Sequence, residues 1–177
     1  MERRAAIRNL LIISGGITLL PSCLGTQKKQ VSAGFSNLDI SADQEKLLAE
    51  IAETIIPATD TPGAKALGVH LFVLKMLNDC YEKDQQEAFI KGLKQLEKIT
   101  KKQYGDSFMA CDKVDREAVL KNIETTMKDA GDVSTFYKIM KQKTIQGYLN
   151  SKYVMTNLVI YELVPGRYDG YFPVKNT

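Results

Sequence analysis

Residues 84–104, DQQEAFIKGLKQLEKITKKQY, decide the fold class. Phe89, Leu93, Leu96 and Ile99 recur at three- and four-residue spacing with lysines opposite, the period of a helix with one face in a core. Gly105 then supplies a stop, because glycine enters the left-handed conformation that closes helices at little cost.

The same period extends in both directions. Upstream, Ser41-Ala42-Asp43-Gln44 has the capping-box form, and Leu47, Leu48, Ile51 and Ile55 follow in register until Pro57 ends the run. A second helix is expected to start at Thr61-Pro62, a hydroxyl cap followed by proline at the first helical position, and to continue to about Cys80. Its middle, with Val69, Leu71, Phe72, Val73, Leu74, Met76 and Leu77, leaves little polar face and reads as a core helix. Downstream, Asp115 is the expected cap of a helix carrying Val119, Leu120, Ile123 and Met127. Ala130-Gly131-Asp132 breaks it from another with Phe136, Tyr137, Met140, Thr144 and Tyr148, and a last stretch holds Val154, Leu158 and Tyr161. After Pro165-Gly166 the tail has aromatics and no period. No segment alternates as a strand does. The expectation is an all-α domain of five or six helices over residues 41–177.

Residues 1–22 read as a signal peptide: a positive start with Arg3, Arg4 and Arg8, then an apolar run from Leu10 to Leu20 too short to span a bilayer. The pair Arg3-Arg4 resembles a twin-arginine export signal, with an ordinary secretory signal as the alternative. Leu20-Pro21-Ser22-Cys23 resembles a bacterial lipobox, which implies a lipid on Cys23 and a mature chain beginning there. Residues 23–40 then form the lipid attachment and a flexible tether, polar and aperiodic. The expected location is the bacterial cell envelope, with the protein exported, lipid-anchored to a membrane and facing the periplasm or exterior.

Outside residues 1–22 the chain has 21 basic and 20 acidic residues, dispersed among one another. That balance argues against a nucleic-acid partner, which requires a basic excess gathered on one face. Catalytic and metal-binding constellations are missing from the pattern. His70 is the sole histidine and sits between Val69 and Leu71. No Cys/His set has zinc spacing, and Gly63 and Gly68 belong to no phosphate- or dinucleotide-binding loop. No catalytic, cofactor-binding or metal residue is therefore expected in this chain. Cys80 and Cys111 are either a disulfide, as an oxidising compartment permits, or two free thiols.

Three segments together carry a family resemblance: Ile55-Ile56-Pro57-Ala58-Thr59-Asp60-Thr61-Pro62-Gly63-Ala64, Thr144-Ile145-Gln146-Gly147-Tyr148, and Pro165-Gly166-Arg167-Tyr168-Asp169-Gly170. In these the chain resembles subunit 3, the small or gamma subunit, of gluconate 2-dehydrogenase and related membrane-bound flavin dehydrogenases. The resemblance implies a non-catalytic accessory subunit. Its partners would be a large FAD-containing dehydrogenase subunit acting on a sugar or polyol, and in some complexes a cytochrome c subunit. It implies help with maturation and export of the large subunit. Family members often carry a cysteine just after the final Tyr-x-Gly, where this chain has Tyr171. The alternative is a stand-alone helical envelope lipoprotein that binds a ligand or an envelope component.

Overall fold

The computed structural model describes residues 35–126, 131–159, 166, 170 and 171. Five α-helices follow in order: α1 Ala42–Ile55, α2 Val69–Cys80, α3 Lys83–Tyr104, α4 Lys113–Thr126 and α5 Asp132–Leu149. A π-helical turn, Val154–Leu158, comes after them. There is no strand among the described residues. The chain is all-α, as its periodicity requires.

Helix α1 starts where its capping box places it. Gln44 N donates to Ser41 Oγ at 3.2 Å, and Ser41 N donates to Gln44 Oε1 at 2.9 Å. Helix α3 ends at Gly105, which takes φ +82° and donates its N–H to Lys101 O. Residues buried along α3 include Phe89, Leu93 and Leu96, and these fix its orientation.

Helix α5 is the hub, in contact with α1, α2, α3, α4 and the π turn. Its largest interface is with α3, and Gly92 makes that approach possible: a Cβ there would lie 2.2 Å from Asp132 O and 2.4 Å from Phe136 Cβ. Beside it the rings of Phe89 and Phe136 pack with centroids 4.8 Å apart. Both rings are fully buried, as are Leu48, Ile51, Leu74, Leu77 and Met140. Each such side chain contributes roughly 1.5–3 kcal/mol of transfer free energy.

Three expectations are corrected. Helix α2 begins at Val69, not at Thr61, because Gly68 adopts φ +65° and the residues before it fold into turns. Thr61 spends its hydroxyl on a distant tyrosine, and Thr59 N donates to Thr61 O, so no helix can propagate from Pro62. Helix α4 is capped by Asp112, whose Oδ1 accepts from Asp115 N at 2.8 Å; Asp115 is the third helical residue. The polar segment before Ser41 is not wholly a tether. Leu38 and Ile40 are buried, and Asn37 bonds Asn78 through N to Oδ1 at 2.9 Å and through Nδ2 to O at 3.2 Å. Met127, Tyr161, Pro165, Tyr168 and the expected signal and lipid residues, Arg3, Arg4 and Cys23, lie outside the described residues.

Candidate functional site

The loop between α1 and α2, residues 56–68, is where the structure gathers the segments that the sequence singled out. Tyr148, in the last turn of α5, packs against it. Its hydroxyl donates to Pro62 O at 3.1 Å. That phenol has one proton, so the contact with Thr61 at 3.1 Å is a donation from Thr61 Oγ1 to Tyr148 Oη. Next to it on α5, Gly147 admits α2: a Cβ would fall 2.6 Å from Phe72 Cδ1 and 3.0 Å from Val69 Cγ1.

The other clasp is Glu53. Its Oε1 accepts from Ala58 N at 3.0 Å and its Oε2 from Lys65 N at 2.9 Å, so one carboxylate spans the base of the loop. Gly63 lies against it, with a hypothetical Cβ 2.3 and 2.4 Å from the two oxygens and 2.6 Å from Ala58 N. Ala64 N closes the base on Ile56 O at 2.9 Å. What this leaves outside is a short tip, Ala58, Thr59 and Asp60, exposed on a backbone pinned from two directions.

A charged network ties the loop to the rest of the fold. Glu50 on α1 pairs with Lys65 of the loop and, at 2.9 Å, with Arg116 on α4. The Lys65 hydrogen bond, reinforced by Arg116, holds the Glu50 carboxyl below the usual carboxylate range against the opposing effect of burial. Arg116 also donates through Nε to Cys111 O at 3.0 Å and through Nη2 to Met109 O at 2.6 Å, and its guanidinium lies 5.7 Å from the Phe108 ring centroid. A shallow cavity of about 330 Å³ opens here, lined by Glu53, Thr54, Pro57, Ala58, Cys111, Lys113 and Arg116.

The reactive groups are placed as follows. Cys111 is buried, and burial pushes its thiol up, away from the nucleophilic thiolate. Cys80 is exposed at the end of α2; both are free thiols, not joined to each other. His70 is half-buried on α2 with its Nδ1 buried and unbonded, and burial lowers its proton affinity despite the charge of Glu45. No group of three His, Cys, Asp or Glu side chains among the described residues is arranged to hold a metal ion.

Of the residues marked by the sequence, Pro57, Asp60, Thr61, Pro62 and Gly63 therefore share one loop with Gly147 and Tyr148 behind it. Gly166 and Gly170 are exposed and joined to this cluster by no hydrogen bond among the described residues. Glu53 and Arg116 were missed. A signal existed for Glu53: an acid in the last turn of a helix faces the negative end of the helix dipole, so it is placed there for a partner beyond the helix. The geometry is that of a loop braced at its base by Glu53 and along one side by Tyr148, with an exposed tip.

Among known families, residues 42–166 match the model described as gluconate 2-dehydrogenase subunit 3. No curated protein and no solved structure matches the chain.

Proposed function

The chain belongs to the gluconate 2-dehydrogenase subunit 3 family, and from that premise we propose that it is the non-catalytic accessory subunit of a membrane-associated, FAD-dependent sugar or polyol dehydrogenase. The family is a subunit of a dehydrogenase complex; the division of labour within this one is our reading. The observation that carries it is the match over residues 42–166, which takes in α1–α5 and the pinned loop. Redox chemistry belongs to the FAD of the large subunit. This chain supplies a folded surface whose loop is already braced by Glu53 and Tyr148. That lowers the entropic cost of association.

Export and anchoring complete the proposal. The signal with Arg3 and Arg4 carries the complex out of the cytoplasm, and a lipid on Cys23 holds it to a membrane. Among the described residues no helix is long and apolar enough to cross a membrane; the anchor in this reading is the lipid. Each buried methylene of an acyl chain adds about 0.8 kcal/mol, and two or more chains give a lasting attachment. A cytochrome c subunit is a further partner in this reading.

The test is to delete the chain from its native cell and assay flavin-dependent sugar dehydrogenase activity in cytoplasmic, soluble envelope and membrane fractions. The proposal predicts activity lost from the membrane and recovered on complementation. With Cys23→Ser, activity is expected to move to the soluble envelope fraction. Membrane activity unchanged by the deletion would contradict the accessory role.

A further inference from the structure

Helix α3 buries Phe89, Gly92, Leu93, Leu96 and Thr100, and the opposite face holds lysines: Lys91, Lys94, Lys98, Lys101 and Lys102 fall within a single stripe at helical spacing. All five are exposed. Their spread from Lys91 to Lys102 is roughly 16 Å of helix at 1.5 Å per residue. Lys91 pairs with Glu87 at 3.2 Å, while Lys94, Lys98, Lys101 and Lys102 have no carboxylate partner among the described residues. The acid of this half of α3, Glu97, is turned aside, and its Oε1 accepts from Phe108 N at 3.2 Å. In a domain whose charges nearly cancel, four exposed lysines thus stand on one face without an ion pair among the described residues, the acids Glu87 and Asp39 lying at its N-terminal end.

A second observation points to what faces it. The N-terminal segment enters the domain along this helix: Asn37, Leu38 and Asp39 share a groove of about 490 Å³ with Lys83, Glu87, Lys91 and Lys94. Only eleven residues separate Cys23 from Phe35, a reach of at most about 40 Å even fully extended. A lipid on Cys23 therefore keeps the domain within reach of the membrane, and the segment that carries it joins the domain beside Lys83, Lys91 and Lys94.

We propose that the lysine face of α3 rests on an anionic phospholipid surface, beside the point where the lipid-anchored segment joins the domain. The inference rests on the lipidation reading and extends it from an anchor to an orientation. Attraction to anionic headgroups acts within a Debye length, about 10 Å at 0.1 M salt, so the tether makes an otherwise weak surface effective by holding it close. Each lysine near such a surface strengthens the contact roughly fivefold. The α1–α2 loop and α3 would then be set at a fixed attitude to the bilayer.

The experiment uses the mature protein purified from its native membrane and reconstituted into vesicles of phosphatidylcholine alone, or with a third of that lipid replaced by phosphatidylglycerol. A membrane-impermeant amine reagent is applied, and labelling at each lysine is read by mass spectrometry. Lys94, Lys98, Lys101 and Lys102 are expected to label several-fold more slowly on the anionic vesicles, with the difference abolished by high salt. Lys121, Lys138 and Lys152, exposed on other elements, serve as controls and should not change. Equal labelling of the stripe in both vesicles overturns the proposal, as does slow labelling in both, which a protein covering the face would give. The mass of the N-terminal peptide separates the two readings: acyl chains present with equal labelling refute the oriented face alone, whereas their absence refutes the anchor and the membrane as occupant together.

Discussion

Thr61 and Tyr148, 87 positions apart in sequence, are joined hydroxyl to hydroxyl at 3.1 Å, and the same phenol donates to Pro62 O. This pair holds the α1–α2 loop to the end of α5, and it explains why two separate segments of the sequence stand out together.

Tyr148→Phe removes both bonds and leaves the Pro62 carbonyl and the Thr61 hydroxyl in a partly buried site. The expected loss is about 1–2 kcal/mol, seen as a melting temperature lower by several degrees. Thr61→Val in the Tyr148→Phe background should cost less than it does in the native protein, since the bond is already gone. Full additivity in a urea-denaturation cycle would contradict the assigned contact.

The glycines make a graded series. Gly92→Ala collides with backbone at Asp132 and with Phe136 Cβ, neither of which can swing away; Gly147→Ala meets mainly the Phe72 ring and a Val69 methyl. Overpacking of this kind costs roughly 1–3 kcal/mol, with Gly92→Ala at or beyond the upper end and Gly147→Ala lower. Gly63→Ala should be costly too, because the Glu53 carboxylate it strikes is held by Ala58 N and Lys65 N. Denaturant midpoints measure the order, and a Gly147→Ala protein less stable than Gly92→Ala would refute it.

How much of this was legible beforehand depended on the range of the interaction. Ser41, Gln44 and Gly105 act on their own turns, so their roles follow from local spacing. Thr61 and Pro62 also form a local start signal, yet the helix begins at Val69, because the Tyr148 bond and the left-handed Gly68 override propensity. No local pattern contains Tyr148 and Thr61 at once. Asp112 and Asp115 were ambiguous for another reason: acids three apart are both acceptable near a helix start, and which one caps is settled by where the preceding loop enters. The candidate loop was visible as a motif, while Glu53 and Arg116, which brace it, emerge from packing alone.

His70 links stability to pH. Burial lowers its proton affinity in the folded state below the ordinary 6.5, so the unfolded chain binds more protons as pH falls through that value. Stability attributable to His70 is complete above about pH 6.5 and is lost progressively as pH drops toward the lower folded-state value. The lowered Glu50 acts in the same direction, but only below its ordinary 4.5. Between pH 7.5 and 5.5 the urea midpoint of the native protein should therefore fall, and that of His70→Phe should fall less. Parallel curves for the two proteins would rule out this assignment.

The two thiols differ in access. Cys80 is exposed, whereas Cys111 is buried with its thiol pushed toward the protonated form. In the native state an alkylating reagent should modify Cys80 at least tenfold faster. Both should react after denaturation without any reductant. A denatured protein that takes up label at neither site until reduced would show a disulfide in place of the free thiols.

The accessory-subunit reading is tested most directly by purifying the protein from its native membrane in mild detergent, recording flavin absorbance and identifying the co-purifying chains by mass spectrometry. The account predicts a yellow complex containing a large flavin dehydrogenase subunit. A colourless protein recovered alone would contradict it and favour an independent envelope lipoprotein.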